Sequence, residues 1–301
     1  MQFAFCMHGF WTMGWEKTEL RSMIQNTKTT LRFFIFAVVC AALPASFLVG
    51  QDAEPAKAWA TLKGRIIVEG DLPTIQPKVV PKTPDNEKYC LINGKPPLKD
   101  DLLIDKKSRG LKNAFIMMYL KRGADKPPVH PSYEADLAKP IVIDNQKCNF
   151  VPHAAFARTG QPVRLKNSDK TGHNCHIILF NDEVNLNLPI DEHVDVKFDK
   201  TEKFPGQVKC DLHPWMKGVL LVRDEPYVAI TDKDGNFEIK NVPAGEWNFQ
   251  FWHEKAGYMR DLQVPEKKVG RRGEVELVFE DGKTMDLGEL KFDVGKFKTD
   301  K

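Results

Sequence analysis

The chain has no charge surplus, no helical period and no internal repeat, and each absence removes a class of protein. Across 301 residues the formal net charge is only +3. Setting aside residues 1–50, with four basic and two acidic side chains, leaves the two signs almost balanced. Without a basic surplus there is no electrostatic footprint for a nucleic acid. No long stretch repeats apolar residues at a helical period, so a helix bundle is excluded as the main architecture. No repeat of fixed period is present, which removes repeat arrays, and there is no low-complexity or collagen-like segment. Cysteine is scarce: beyond residue 50 there are only Cys90, Cys148, Cys175 and Cys210. At this length a packed core, not a set of staples, has to hold the fold. With 42% hydrophobic and 28% charged residues the composition is that of a globular protein of two or three domains.

One long apolar run is present, "LRFFIFAVVCAALPASFLVG" from Leu31 to Gly50, with Lys28 and Arg32 at its start and the polar "QDAEPAKA" after it. A basic flank, an apolar core and then small residues are the layout of a secretory signal. Met23 opens such a signal by itself, so the residues before it carry no fold information. The run is also long enough for a membrane anchor, but Pro44 and the small residues around it fit a processed signal better. Val39 stands before Cys40, where lipoprotein signals place a small residue, which argues against lipidation. The expectation is a periplasmic or secreted chain with residues 1–50 as its signal peptide, in a compartment where disulfides persist.

From residue 58 onward the chain is a series of short β-rich runs, such as "TLKGRIIVEG", "NAFIMMYL", "HIILF", "GVLLVRD" and "EWNFQFW", separated by Gly, Pro, Asn and Asp. The expected class is all-β, built of sandwiches or barrels. The proline-rich "ADKPPVHPSYEADLAKP" divides an N-terminal β-region, 51–139, from a second region, 140–225, and "RDEPYV" marks the boundary with a third, 226–301. In the third, "KDGN" and "PAGE" read as hairpin turns.

Chemistry concentrates in "VKCDLHPWMKG", which sets Cys210, His213 and Met216 three residues apart. On one loop at the mouth of a sandwich these three soft or borderline donors can face one point, a set that favours copper over hard cations. A blue-copper site needs a second imidazole in the trigonal plane, and "GHNCHIILF" offers His173 or His176 from a neighbouring strand. His176 has the opposite strand parity from His173. Cys175 shares the parity of His173, which leaves it as a small buried hydrophobe or as a second thiol near the site.

These residues resemble the cupredoxins, most closely the amicyanin type. "CDLHPWMKGVLLV" has the Cys-x2-His-x2-Met spacing with Pro after the histidine, an aromatic before the methionine and Gly opening the exit strand. "GHNCHIILF" is similar to the His-Asn-x-His-hydrophobic strand, and "PIVIDNQKCNFVPHAAFARTGQPVRLKNSD" to the opening strands, so the likeness spans about 140–224. It implies a Greek-key β-sandwich flanked by further β-sandwich regions, one type 1 copper, and His173, Cys210, His213 and Met216 as its ligands. Asn174 matches the asparagine that ties the histidine strand to the cysteine loop. Cys175, in place of an aliphatic residue, and the large Trp215 depart from the pattern. The stretch "YVAITDKDGNFEIKNVPAGEWNFQFWHEKAGY" resembles carboxypeptidase-regulatory-like β-sandwiches, whose first strands "LKGRIIVEG" is expected to supply.

Among the remaining histidines, His130 and His193 read as solvated surface, and His153 and His253 as hydrogen-bonded structural residues. Cys90 and Cys148 lie outside the copper motifs; a disulfide is the default in an exported chain, two separate thiols the alternative. The resemblance implies electron transfer without enzyme activity, since four protein ligands leave no open position for substrate. Unidentified redox proteins are the expected partners, with an envelope or cell-surface partner on the terminal β-modules. His213 would be the electron exit and Pro214 and Trp215 an apolar docking rim, unless Trp215 is buried against a neighbouring module. The alternatives are a multi-domain binding or structural protein that carries a copper module, and copper storage or delivery.

Overall fold

Alternation along the strands shows how the molecule is layered. A computed structural model describes residues 58–298; the expected signal peptide and its start at Met23 lie outside the described residues. The strands of the first half are β1 (Trp59–Glu69), β2 (Phe115–Tyr119), β3 (Ile141–Asn145), β4 (Phe150–Val151), β5 (Ala154–Arg158), β6 (Val163–Asn167), β7 (His173–Ile178) and β8 (Glu183–Leu188). They are followed by β9 (His193–Val196), β10 (Gly206–Lys209), β11 (Lys217–Arg223), β12 (Val228–Ile230), β13 (Asn236–Pro243), β14 (Gly245–His253), β15 (Gly257–Tyr258), β16 (Glu274–Phe279) and β17 (Thr284–Asp293). A short α-helix, α1 (Pro131–Asp136), begins at His130, whose ring caps it by accepting from the amide of Ser132. The all-β class is as expected.

The strands form four sheets, ordered β13-β1-β17, β12-β2-β14-β15 with β16 also on β14, β5-β11-β10-β7-β8, and β4-β3-β6-β9. Successive side chains of a strand point to opposite faces, and the continuously buried runs follow from that. In β2, Ile116 and Met118 join the core between the first two sheets, whereas Phe115 and Met117 pack on Ala154, Val219 and Leu221 of the third. In β11, Val219 and Leu221 face that junction while Leu220 and Val222 enter the core between the third and fourth sheets. The two middle sheets are therefore buried on both faces, which is why "FIMMY" and "GVLLV" read as unbroken apolar runs.

The division into three consecutive regions needs correction. β1 pairs antiparallel with β13 and parallel with β17, and β2 pairs with both β12 and β14. Strands before residue 120 and strands after 227 thus make one outer sandwich, and "LKGRIIVEG" lies in its sheet. Strands 141–223 form the second sandwich, inserted between the two halves of the first. Short-range patterning shows that a strand exists but not which distant strand it pairs with, so in sequence a shared sheet has the pattern of two regions.

The segment between β1 and β2 does not stay with the outer sandwich. It crosses the inserted one, where Cys90 is joined to Cys148 in a disulfide and the buried Lys78 amine donates to Asn149 Oδ1 at 2.7 Å and pairs with Asp100 at 2.8 Å. At the junction His153 of the inserted sandwich lies between Asp100 and Glu254 of the outer chain segments, 3.5 Å from the Asp100 carboxylate and hydrogen-bonded to Glu254. Burial alone would push the imidazole's pKa down, but the two carboxylates outweigh it and raise it to about 9.

Candidate metal centre

β7 and the loop from β10 to β11 build the site. β10 pairs with β7 on one side and β11 on the other, so Lys209 lies opposite both His176 and Lys217. Cys210, one residue beyond β10, is thereby carried past His176 toward the His173 end of β7. The loop closes on itself through the Met216 amide to the His213 carbonyl at 2.8 Å and the Cys210 amide to the Met216 carbonyl at 3.3 Å. Gly218 is needed where β11 starts, because a Cβ there would stand 2.7 Å from the carbonyl oxygen of His153.

The donors meet. Cys210 Sγ is 3.8 Å from His173 Nδ1 and 3.6 Å from His213 Nδ1, and the two imidazole rings are 4.6 Å apart. His173, Cys210 and Met216 are sealed in the core, and His213 is only 8% exposed. Burial alone would hold the Cys210 thiol up. The neighbouring imidazoles of His173 and His213 and the backbone of Asn174 and His213 outweigh that and bring it down to about 6. A thiol that ionises readily between two Nδ1 atoms, with a buried thioether on the same loop, fits the preferences of a copper ion.

Asn174 links the histidine strand to the cysteine loop. Its Oδ1 accepts from the amides of Asp211 at 2.7 Å and Leu212 at 3.2 Å, and its Nδ2 donates to Asp211 Oδ2 at 3.0 Å. The histidine strand and the cysteine loop are thus fixed to each other independently of any metal. His176, on the other face of β7, binds Asp211 and Glu183 at the surface, away from the donors. Cys175 is buried, and burial together with the nearby Cys210 pushes its thiol up to about 12. It takes no part in the His–Cys–His cluster, and its place in the core is that of a small hydrophobe.

The docking rim needs a correction. Trp215 is 9% exposed, packs edge-on to His213 with centroids 5.1 Å apart, and belongs to the core of the inserted sandwich. It is buried where the segment between β1 and β2 crosses the inserted sandwich, lining a cleft with Lys78, Val79 and Asp100, and forms no rim; Pro214 is open, beside an exposed Leu212. The disulfide lies against His213: the sulfurs of Cys90 and Cys148 and a His213 ring nitrogen lie within 4.8 Å of one another. Sequence reasoning placed the two cysteines outside the copper motifs, and their spacing of 58 residues carries no hint of this contact. Asp169 was also missed. Its carboxylate is 2.9 Å from His173 Nε2, yet in the sequence it is one polar residue of the turn "NSDKTG". The expected surface residue His193 is exposed, and His253 is buried.

No family model and no curated protein matches this chain. Among solved structures it is similar to a copper-containing nitrite reductase from Thermus scotoductus SA-01 at 18% identity, over 35% of this chain and 25% of that one, with a TM-score of 0.26. The chain thus spans a quarter of that reductase. It is similar to a reduced-state amicyanin variant at 19% identity, over 36% of this chain and 98% of that one, TM-score 0.25. A purple cupredoxin from Nitrosopumilus maritimus is 22% identical over 28% of this chain and 97% of its own length, TM-score 0.24.

Proposed function

We propose that the inserted sandwich is a cupredoxin-type module holding one type 1 copper, with His173, Cys210 and His213 as equatorial ligands and Met216 as the axial one, and that the protein is an exported electron carrier. One observation supports this above the rest: a buried thiol set between two Nδ1 atoms at 3.8 and 3.6 Å on a framework that Asn174 fixes in advance. When bound, copper in such a set cycles between its cuprous and cupric forms with little rearrangement of ligands. The protein side supplies the rest. The two imidazoles are held in place by packing and hydrogen bonds, the thiol is readily ionised, and the surrounding core excludes water.

Four protein donors leave no coordination position for a substrate, which supports a non-enzymatic role. Electrons would cross at the open apolar surface of Leu212 and Pro214 beside His213, a patch suited to a small and transient redox-protein interface. The outer sandwich, which we read as the carboxypeptidase-regulatory-like module with its missing strand supplied by β1, would carry an envelope or cell-surface partner. Export rests on the signal-like run at 31–50; no helix among the described residues is long and apolar enough to cross a membrane.

The buried state of His213, with the disulfide against it, favours a second reading, in which copper only braces a binding protein; storage or delivery is the third. A spectroelectrochemical titration separates them. A carrier gives a reversible one-electron transition that repeats over many cycles with full retention of copper. Loss of the metal on reduction, or a potential outside the reach of biological donors, removes the carrier reading.

A further inference from the structure

The turn between β3 and β4 is strained, and its strain is directed at one carboxylate. Lys147 and Cys148 are consecutive non-glycine residues with φ of 51° and 52°, a left-handed pair that L-residues adopt at a cost. In that conformation their two amides converge, Lys147 N on Asp169 Oδ1 at 2.5 Å and Cys148 N on Asp169 Oδ2 at 2.8 Å. Successive backbone amides arranged this way form an anion-binding nest. Asp169 is the anion, 9% exposed, and its own amide is held by Asn167 Oδ1 at 3.0 Å. Asn167 is fixed in turn by donating to the carbonyls of Thr171 and Leu188, both at 2.9 Å.

The third donor on Asp169 is His173, Nε2 to Oδ2 at 2.9 Å. Because Nε2 must carry the proton in that bond, the lone pair of the neutral ring is left on Nδ1, the atom 3.8 Å from Cys210 Sγ. A full carboxylate behind an imidazole also makes it a stronger donor, and such partners orient ligands and tune a bound metal. The nest is built on Cys148, so the same turn carries the disulfide: Cys148 Sγ, an Asp169 oxygen and a His173 nitrogen lie within 4.8 Å of one another.

We infer that Asp169 is a positioning residue for the metal centre, fixing the tautomer and orientation of His173 and biasing the bound copper toward its oxidised form, and that the Cys90–Cys148 disulfide locks Asp169 in place through the Cys148 amide. This rests on the copper reading above. No such role falls to a carboxylate that merely lies nearby. Asp144 is the internal control: it is buried and accepts from the amide and hydroxyl of the adjacent Ser168, but it touches neither imidazole.

The test is the reduction potential of the copper-loaded full chain in three forms: wild type, Asp169→Asn and Asp144→Asn. Asp169→Asn should raise the potential by at least a tenfold change in the one-electron equilibrium, about 59 mV, with the thiolate-to-copper band retained. Asp144→Asn, which removes the same charge, should shift it by less than a third as much. Equal shifts in the two variants would overturn the inference, because charge alone would then account for both. A second measurement needs no variant. In zinc-loaded wild-type protein, the Nε2 proton of His173 should appear in the nitrogen-15 spectrum as a slowly exchanging, hydrogen-bonded resonance. Exchange at the rate of a solvated imidazole would overturn the inference even if Asp169→Asn does not fold. If the wild type takes up copper without a thiolate band, the copper reading fails, while the zinc experiment still decides the role of Asp169.

Discussion

The two sandwiches have the same secondary structure and opposite interiors. The outer one is filled mainly by aliphatic and aromatic side chains, among them Leu62, Ile66, Phe249, Phe251, Leu277 and Phe292, with Thr231, Gln250 and His253 as buried polar exceptions. The inserted one buries Asn145, Asn167, Asp169, His173, Asn174 and His213 together with its cysteines and methionine. Buried polar groups persist only when paired, so a sandwich that carries this many is organised around something other than packing. The outer sandwich is explained by its core. The inserted one is explained by the point at which its polar side chains converge.

That contrast can be broken most severely at the disulfide. Replacing Cys90 and Cys148 by alanine should destabilise the inserted sandwich by about 4 kcal/mol in the chain-entropy account of a 58-residue separation. Thermal unfolding, followed through tryptophan fluorescence, should drop accordingly. A change under about 1 kcal/mol would mean that the strap beside His213 is held by Lys78 and its partners alone.

Trp215→Lys comes next. Trp215 packs in the core beside His213 and does not rim it, so the substitution removes a large buried side chain and leaves a charge in its place. A loss of about 3 kcal/mol or more is expected. A variant of wild-type stability that exchanges electrons slowly would restore the docking role originally expected of this residue.

The junction between the sandwiches supplies a pH test. His153, raised to about 9 by Asp100 and Glu254, binds its proton more tightly folded than unfolded. Its contribution is complete below the unfolded value near 6.5, falls as pH rises, and is gone above about 9. We expect a decline of order 3 kcal/mol across that window, measured by urea unfolding at several pH values and flattened in His153→Gln. An unchanged profile in that variant would assign the decline to other groups.

The smallest effect belongs to Met216→Leu. The swap nearly conserves volume and should cost less than about 1.5 kcal/mol. Copper should remain bound and coloured while its potential moves, since an axial thioether is a weak ligand that tunes the centre. An unmoved potential would take Met216 out of the ligand set.

How much of this was legible in the sequence depends on distance along the chain. Cys210, His213 and Met216 lie on one loop, so their spacing alone brings them together, and Asn174 follows from its place beside His173. Alternation revealed the strands as well. It did not reveal that β1 and β17, more than two hundred residues apart, share a sheet, because the period of a strand is the same whatever its partner. Asp169 stayed hidden for a different reason: a lone aspartate between serine and lysine carries the pattern of any solvated turn. Its role arises only when the left-handed turn at Lys147 and Cys148 folds back onto it.

The central claim is that Cys210 is a copper thiolate between two imidazoles, and a visible and electron paramagnetic resonance spectrum of the copper-loaded protein tests it most directly. One copper per chain is expected, with an intense thiolate-to-copper band and the small hyperfine splitting of a type 1 centre. Cys210→Ser should abolish both and Cys175→Ser neither. Colour that survives Cys210→Ser and vanishes with Cys175→Ser would contradict the ligand assignment, and a colourless wild type that binds copper would contradict the account as a whole.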